Sequence, residues 1–282
     1  MLSRDYHRLV REQTRLINQL TGTLKEYYPR FLEVFEDLSS ELALDFLEAY
    51  PTPEAMEGLT EKQWQQFAQA HRLRSKRTAE LWERFHRPRL PMPAHVVRAK
   101  SRLVGVLVQQ LRATVTGVKA YRAEVQRFFA CCPAAKLTKT LPGGHSGIII
   151  PTIWAELGDA PGRWKSFRHL QAQAGTVPVT RQSQKSRSVC FRFACNRRLR
   201  YGAHWLALIS LRTSDWTKAY YKAQRLRGHS HRRALRALGS KWLKIIFVMW
   251  NDHVAYDENL HLANMARQHL CHITSIGEKS PC

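Results

Sequence analysis

The chain has 282 residues, of which 44% are hydrophobic and 24% are charged, and its formal net charge is +23. This composition is typical of a folded protein with an ample core, and it argues against a disordered chain. A strongly positive field attracts polyanions, so the candidate partners are DNA, RNA and acidic membrane surfaces.

The sequence contains no sign of membrane insertion or export. No apolar run approaches the roughly 18 residues that a membrane span needs, and the first residues do not open a signal peptide. We therefore expect a cytoplasmic protein with no membrane partner. The six cysteines form no C-x-x-C pair, and no histidine stands at zinc-finger spacing from them, so free thiols are expected.

The first third of the chain is predicted to be helical. A stripe of leucines at helical spacing predicts a first helix that Pro29 ends or kinks, and its members are Leu9, Leu16, Leu20 and Leu24. Short helices with turn signals follow as far as Pro93, and Thr60 with Gln63 has capping-box spacing. About a dozen of the 22 acidic residues precede Lys62, which suggests assembly at this end and phosphate contact at the other.

A heptad repeat runs from Val96 to Phe129. One core position is occupied every seven residues, and the other is partly filled: Val97, Val104, Leu111, Val118 and Val125, with Leu107, Tyr121 and Phe128. The repeat predicts a long coiled-coil helix through which the protein forms a homo-oligomer, and its β-branched residues favour two strands. The alternative is an amphipathic helix packed in a bundle of the same chain, with the Leu9–Leu24 helix as its partner.

The second half is strongly basic. From Arg181 to Lys244 there are 17 lysines and arginines against one acid, Asp215, and such density is an electrostatic footprint for phosphate. A Pro142-Gly143 turn precedes an apolar helix, as in a helix-hairpin-helix that offers backbone N–H groups to phosphate, although His145 stands where that motif has a second glycine.

The centre of the basic half is predicted to be a hydroxyl-rich loop from Ala174 to Val189, with Ser183 among the cations. The candidate nucleic-acid-binding residues, besides Gly143, are Arg181, Lys185, Arg187, Arg192, Arg197 and Arg198. By itself, a serine between basic residues is usually a turn residue or a hydrogen-bond donor to phosphate.

Three helices are predicted after this loop, at 196–210, 215–227 and 231–250, and residues 189–193 read as a short strand. The tryptophans at 205, 216, 242 and 250 are interpreted as core residues. His229 and His231 are interpreted as a helix end rather than a metal site. The fold class is therefore mainly α with at most a little β.

Taken together, these residues resemble a known family. The C-terminal domain of insertion-sequence-110 transposases is similar to the run from Leu141-Pro142-Gly143 through Ala155–Asp159, Ala174–Pro178, Ser183 and Tyr220 to Tyr256-Asp257-Glu258. The helical linker of the same family resembles the earlier segments Thr14–Asn18, Tyr27-Tyr28-Pro29 and Tyr50–Ala55. The order and spacing of these motifs, which cover nearly the whole chain, carry the resemblance.

The resemblance implies a division into a helical, coiled-coil linker and assembly region at 1–132, a serine-containing transposase domain at 133–257 and a tail at 258–282. It implies that a serine of this domain attacks the DNA backbone, and that a structured bridge RNA guides the choice of DNA. The family's serine lies in a Gly-x-x-Pro-x-x-x-x-Ser-Gly loop. Counted from Gly175 and Pro178 that serine is Ser183, which Gln184 follows in place of glycine.

The same resemblance implies a second catalytic half, a RuvC-like domain whose four carboxylates bind divalent metal. No acidic cluster early in this chain could replace it. We therefore expect a chain truncated at its N-terminus, with no cofactor or metal of its own and with Mg²⁺ only in the missing domain. The predicted function is that of a DNA transposase that contributes a serine nucleophile. The alternative is a catalytically inactive, truncated fragment that binds DNA or RNA.

Overall fold

The computed structural model describes residues 1–85, 91–143, 147–160, 162–183 and 186–277. Over these residues the chain forms fourteen helices and one two-stranded sheet, which confirms the mainly α prediction. It divides into two compact units, Met1–Arg122 and Ala123–Cys282, each with its own hydrophobic core. The domain limits expected from the sequence stay predictions. None of the described helices is long and apolar enough to cross a membrane.

The first unit is built from helices. They are α1 (Leu2–Tyr27), α2 (Pro29–Val34), α3 (Glu41–Ala49), α4 (Pro53–Glu57), α5 (Glu61–Ala70), α6 (Ser75–Phe85) and most of α7 (Ala94–Ala130). Side-chain caps fix several of their starts, because the first amides of a helix have no partner within it. Ser40 caps α3 and Thr52 caps α4, and the capping box predicted for Thr60 and Gln63 is present at the start of α5.

The core of the first unit is aromatic. The rings of Phe46 and Phe85 are stacked with their centroids 5.0 Å apart, and Trp64 meets both rings edge-on. The Trp64 indole donates a hydrogen bond to the carbonyl oxygen of Thr78 at 2.9 Å. Such ring contacts stabilise a core beyond the area they bury.

The heptad helix α7 packs in this core over the first part of its length. Val97, Val104, Leu107 and Leu111 are buried there, in one cluster with leucines of α1. The bundle within one chain, which the heptad also allowed, is therefore what the structure shows for Val97–Leu111. Further along, Phe128 is 65% exposed. Self-association through a coiled coil stays a prediction.

The second unit contains the hairpin and the basic helices. Its elements are α8 (Pro133–Thr138), α9 (Ile149–Leu157), α10 (Phe167–Gln173), β1 (Val179–Ser183), β2 (Ser186–Cys190), α11 (Arg197–Thr213), α12 (Asp215–Leu226), α13 (His231–Asp252) and α14 (Glu258–Gly277). The three helices predicted from residue 196 onward are confirmed as α11, α12 and α13. Helix α14 occupies most of the region expected to be a tail.

Tryptophans anchor the second core. Trp242 is fully buried and donates a hydrogen bond to the Ser210 hydroxyl at 2.9 Å, and Trp216 and Trp250 are also buried, as predicted. The prediction for Trp205 was wrong, because its side chain is 39% exposed. It lies on α11 one turn after the exposed Tyr201, outside the stripe of α11 that faces the core.

Two glycines let the central helices of the second unit approach closely. A Cβ added to Gly239 of α13 would lie 2.9 Å from the carbonyl oxygen of Ala203 on α11. A Cβ added to Gly202 of α11 would lie 2.5 Å from Ile153 of α9. No real Cβ occupies such positions, so these contacts require glycine and bring the backbones together.

We expect Gly239→Ala to lower the free energy of unfolding by about 1–2 kcal/mol, because overpacking against a backbone outweighs the gain in helix propensity. Gly22→Ala in α1 is the control, since nothing lies within 4 Å of its added Cβ. That variant should raise the free energy of unfolding by about 0.5–1 kcal/mol. Urea unfolding followed by circular dichroism measures both, and equal effects would contradict the close packing.

Candidate nucleic-acid interface

Ser183 lies at the end of an exposed β-hairpin rather than in the predicted loop. Strands β1 and β2 are antiparallel, with Ser183 opposite Ser186. Both serines are exposed, and their hydroxyl oxygens are 2.9 Å apart in a hydrogen bond. Gln184 and the predicted phosphate contact Lys185 lie outside the described residues.

The register of the hairpin sorts the neighbouring cations by face. Side chains alternate between the two faces along a strand, and residues paired across strands share a face. Arg181 is two residues from Ser183 and pairs with Ser188, so it shares the face of Ser183. Arg187 pairs with Gln182 and lies on the opposite face. Of the two described hairpin cations, Arg181 is therefore the one beside the serine hydroxyl.

The described residues of the hairpin present a hydroxyl with no base hydrogen-bonded to it. Where the structure describes the chain, the hydrogen-bond partner of Ser183 is another hydroxyl, and neither group is a base at neutral pH. Within the same residues, no group of three histidines, cysteines, aspartates or glutamates is placed to hold a metal ion. The expectation that Mg²⁺ belongs to a different domain stays a prediction.

The turn that leads into the hairpin depends on Gly175. Its φ of +64° is in the left-handed region, and an added Cβ would lie 2.5 Å from the guanidinium of Arg200 and 2.9 Å from Cys195. Glycine meets both requirements because it has no Cβ. Arg200 in turn donates a hydrogen bond to the carbonyl oxygen of Arg192, just beyond β2. The base of the hairpin is therefore held to the first turn of α11.

A buried carboxylate fixes the start of α11. The Asn196 side chain accepts hydrogen bonds from the amides of Arg198 and Leu199 at 3.1 and 3.2 Å, and so caps the helix. The Asn196 amide donates to Glu156 of α9 at 2.6 Å, and the Arg198 guanidinium donates to the same carboxylate. Glu156 is 2% exposed.

These contacts give the predicted binding residues different surroundings. Arg181, Arg187 and Arg197 are exposed, whereas Arg198 is paired with Glu156 and Arg192 is partly buried. Gly143 adopts a left-handed turn, and a Cβ there would touch Ile209. The rest of that turn, including His145, lies outside the described residues. The contacts of all these residues with nucleic acid stay predictions.

Part of the chain matches the model of a known protein family. Residues 135–222, which include the whole hairpin, match the family model described as Transposase IS116/IS110/IS902 family. The mini-circle putative transposase for IS117 from Streptomyces coelicolor is 28% identical over 255 residues, which are 86% of this chain and 60% of that protein.

Two further relatives are also proteins of insertion elements. The uncharacterized 42 kDa protein of insertion element IS900 from Mycobacterium paratuberculosis is 25% identical over 252 residues, or 88% of this chain and 62% of that protein. The uncharacterized 43.6 kDa protein of insertion element IS110 from Streptomyces coelicolor is 21% identical over 263 residues, or 89% of this chain and 62% of that protein.

By these matches the chain is similar to proteins of insertion elements, and its residues 135–222 are similar to transposases of the IS116/IS110/IS902 family. The chain spans about 60% of the length of the curated relatives it matches.

Proposed function

We propose that this chain is the part of an insertion-sequence transposase that binds DNA and provides Ser183 as the nucleophile for strand cleavage and transfer. The observation that supports this role is the exposed Ser183 hydroxyl at the end of a hairpin, with Arg181 on the same face. The many cations of the surrounding helices suit a polyanionic substrate.

The proposed chemistry exchanges one phosphodiester for another. The Ser183 oxygen attacks phosphorus, its proton passes to a base, and the Oγ–P bond forms as the bond to one deoxyribose oxygen breaks. That oxygen takes up a proton and leaves as a hydroxyl. The hydroxyl of a second strand then attacks the phosphoserine and releases Ser183. Arg181 stabilises the negative charge that grows on the phosphoryl oxygens.

The remaining parts of the machinery belong to the same proposal. A RuvC-like domain would supply the carboxylates that hold Mg²⁺, and hence an activation that the described residues of the hairpin do not provide. A structured bridge RNA and further copies of the chain are the other proposed partners.

A second candidate function follows from the surroundings of Ser183. Its described hydrogen-bond partner is the Ser186 hydroxyl, which cannot take up its proton. This favours a binding fragment that coats DNA or RNA without cleaving it. The two functions differ in whether a covalent protein–DNA adduct forms, and both require contact with phosphates.

We expect the affinity for duplex DNA to fall by about 10³-fold between 50 and 200 mM salt, because six or more phosphate contacts release that many counterions. Fluorescence anisotropy of a labelled duplex, repeated across salt concentrations, measures this slope. A duplex of the same sequence with uncharged methylphosphonate linkages is the control and should lose most of the dependence. A flat response with ordinary DNA would contradict both candidate functions.

A further inference from the structure

A cavity of about 410 Å³ lies at the base of the hairpin, away from the end that carries Ser183. One wall comes from the end of β2, with Val189, and from the segments that flank the hairpin, with Pro178 and Phe191. The other comes from the end of α12 and the first turns of α13, including Arg233 and Arg236. A cavity of this size suits a small organic molecule or one nucleotide unit.

Arginines converge at this cavity. The guanidiniums of Arg200 and Arg236 both lie over the ring of Phe191, each 4.6 Å from its centroid. Arg233 lies one turn before Arg236 on α13 and also lines the cavity. Burial, with the nearby charges of Arg200 and Arg233, lowers the pKa of Arg236. The three cations are therefore close enough to repel one another.

No carboxylate compensates this charge in the described part of the chain. The ion pairs described for the second unit are Arg198 with Glu156, Lys218 with Asp215 and Arg127 with Glu124. Moreover, the Nε of Arg200 is buried and has no hydrogen-bond partner among the described residues. Holding the partly buried Arg200 and Arg236 near each other without a carboxylate costs free energy, which an anion in the cavity would offset.

We propose that this cavity binds one nucleotide unit of a DNA strand, with its phosphate held by Arg233 and Arg236 and its sugar or base against Pro178 and Val189. This inference rests on the proposed function. Phe191 and Gly175 act as positioning residues, because the ring holds two of the guanidiniums and the glycine leaves room for Arg200.

The length of β1 sets the distance between the cavity and Ser183. From Val179 to Ser183 there are four steps of about 3.3 Å, which place the cavity about 13 Å from the serine. A strand rises about 3.4 Å per nucleotide along the duplex axis but also winds around it, so that neighbouring phosphates are about 7 Å apart; a strand that follows the hairpin therefore has its bound phosphate about two nucleotides from the one that faces Ser183. The cavity thus fixes where on the strand the serine acts.

The test compares two double variants for DNA binding. Arg233→Gln with Arg236→Gln removes the cavity cations, and Arg212→Gln with Lys222→Gln removes two exposed charges that do not line the cavity. Each lost phosphate contact lowers the salt slope by about 0.9, which is about fivefold in affinity at 0.15 M salt. The cavity variant should therefore bind about 25-fold more weakly, with a slope smaller by about 2.

The position of the contact is tested with single methylphosphonate substitutions along the strand. Ser183→Cys, cross-linked to a thiol-bearing strand, first maps the phosphate that faces residue 183. With the unaltered protein, the substitution about two nucleotides away should weaken binding about fivefold. The cavity variant should not respond to that substitution, and the control variant should respond like the unaltered protein.

The outcomes separate this inference from the proposed function. If the unaltered protein does not bind DNA, the proposed function fails. If it binds but no phosphate about two nucleotides from that position is sensitive, or the cavity variant keeps the full salt slope, the cavity inference fails. If inorganic phosphate stabilises the unaltered protein against heat but not the cavity variant, while DNA binding is equal in both, the cavity takes a small phosphate rather than a strand.

Discussion

Replacing Ser183 by alanine is expected to abolish covalent attachment of the protein to DNA while its affinity for DNA stays within about twofold. The hydroxyl is the proposed attacking group, and removal of a nucleophile costs at least about 10³-fold in rate. Binding should persist because the hairpin arginines and the basic helices remain. A suicide substrate carries a nick that prevents the second strand from completing the exchange. The covalent adduct therefore accumulates, and a denaturing gel measures it.

The matched control is Ser186→Ala, which removes the hydroxyl opposite Ser183 and leaves the proposed nucleophile in place. It should keep the adduct, and Ser183→Cys should recover part of it because a thiol is also a nucleophile. An adduct that forms equally well with Ser183→Ala would exclude Ser183 from the reaction.

The same assay decides between the two candidate functions. It is run with this chain alone and with a supplied RuvC-like domain and Mg²⁺. An adduct in the second arm supports the transposase role, and the comparison shows whether this chain needs the other domain. Binding without an adduct in either arm supports the fragment that binds without cleaving.

Replacing Glu156 by alanine is expected to lower the free energy of unfolding by about 3 kcal/mol, because it removes one partner of a largely buried ion pair. The carboxylate accepts hydrogen bonds from Asn196 and Arg198, and these contacts join α9 to the cap of α11. Urea unfolding followed by circular dichroism measures the loss.

Glu124→Ala is the control, since Glu124 also pairs with an arginine but on the exposed surface of α7. An exposed pair contributes about 0–1 kcal/mol, so this variant should unfold near the unaltered midpoint. Glu156→Gln keeps the shape and should fall between the two. Equal stability of Glu156→Ala and Glu124→Ala would show that the pair does not hold the start of α11.

The helices could be predicted because their core residues recur at helical spacing over many turns. Leucines of α1 and the apolar stripes of α7 and α13 are visible in the sequence, and the capping residues of α5 mark its start. The partner of a stripe is not visible in the same way. A heptad gives the same pattern whether it packs against another chain or within its own, and only the structure shows that Val104 and Leu111 are buried in one core with leucines of α1.

The hairpin was not predicted as a pair of strands, because most of it lacks the usual signal of a strand. The short strand expected at 189–193 overlaps β2 only at its end, since β2 stops at Cys190. A strand is recognised when apolar residues alternate on a half-buried face, whereas Thr180, Arg181, Ser186 and Ser188 are all exposed. Polar residues with hydroxyl groups in such a stretch read as a loop. The choice of Ser183 does not depend on secondary structure, since it rests on its spacing from Gly175 and Pro178 in the loop pattern of the resembling family, and it stays a prediction.

The grouping of arginines around Phe191 could not be predicted from the sequence. Arg200 and Arg236 are 36 residues apart, and nothing in their spacing shows that both guanidiniums meet the ring of Phe191. The i, i+3 spacing of Arg233 and Arg236 on a predicted helix was the one available signal, because it places both on the same side. Among seventeen basic residues that signal does not stand out.

The separate cores of the two units have a consequence for spectroscopy. Six of the eight tryptophans belong to the second unit, at positions 154, 164, 205, 216, 242 and 250, and the first unit has Trp64 and Trp82. Indole emission from this chain therefore reports mainly on the unit that carries the hairpin. Ellipticity at 222 nm follows the helices of both units, so the difference between the two signals distinguishes loss of one core from loss of the other.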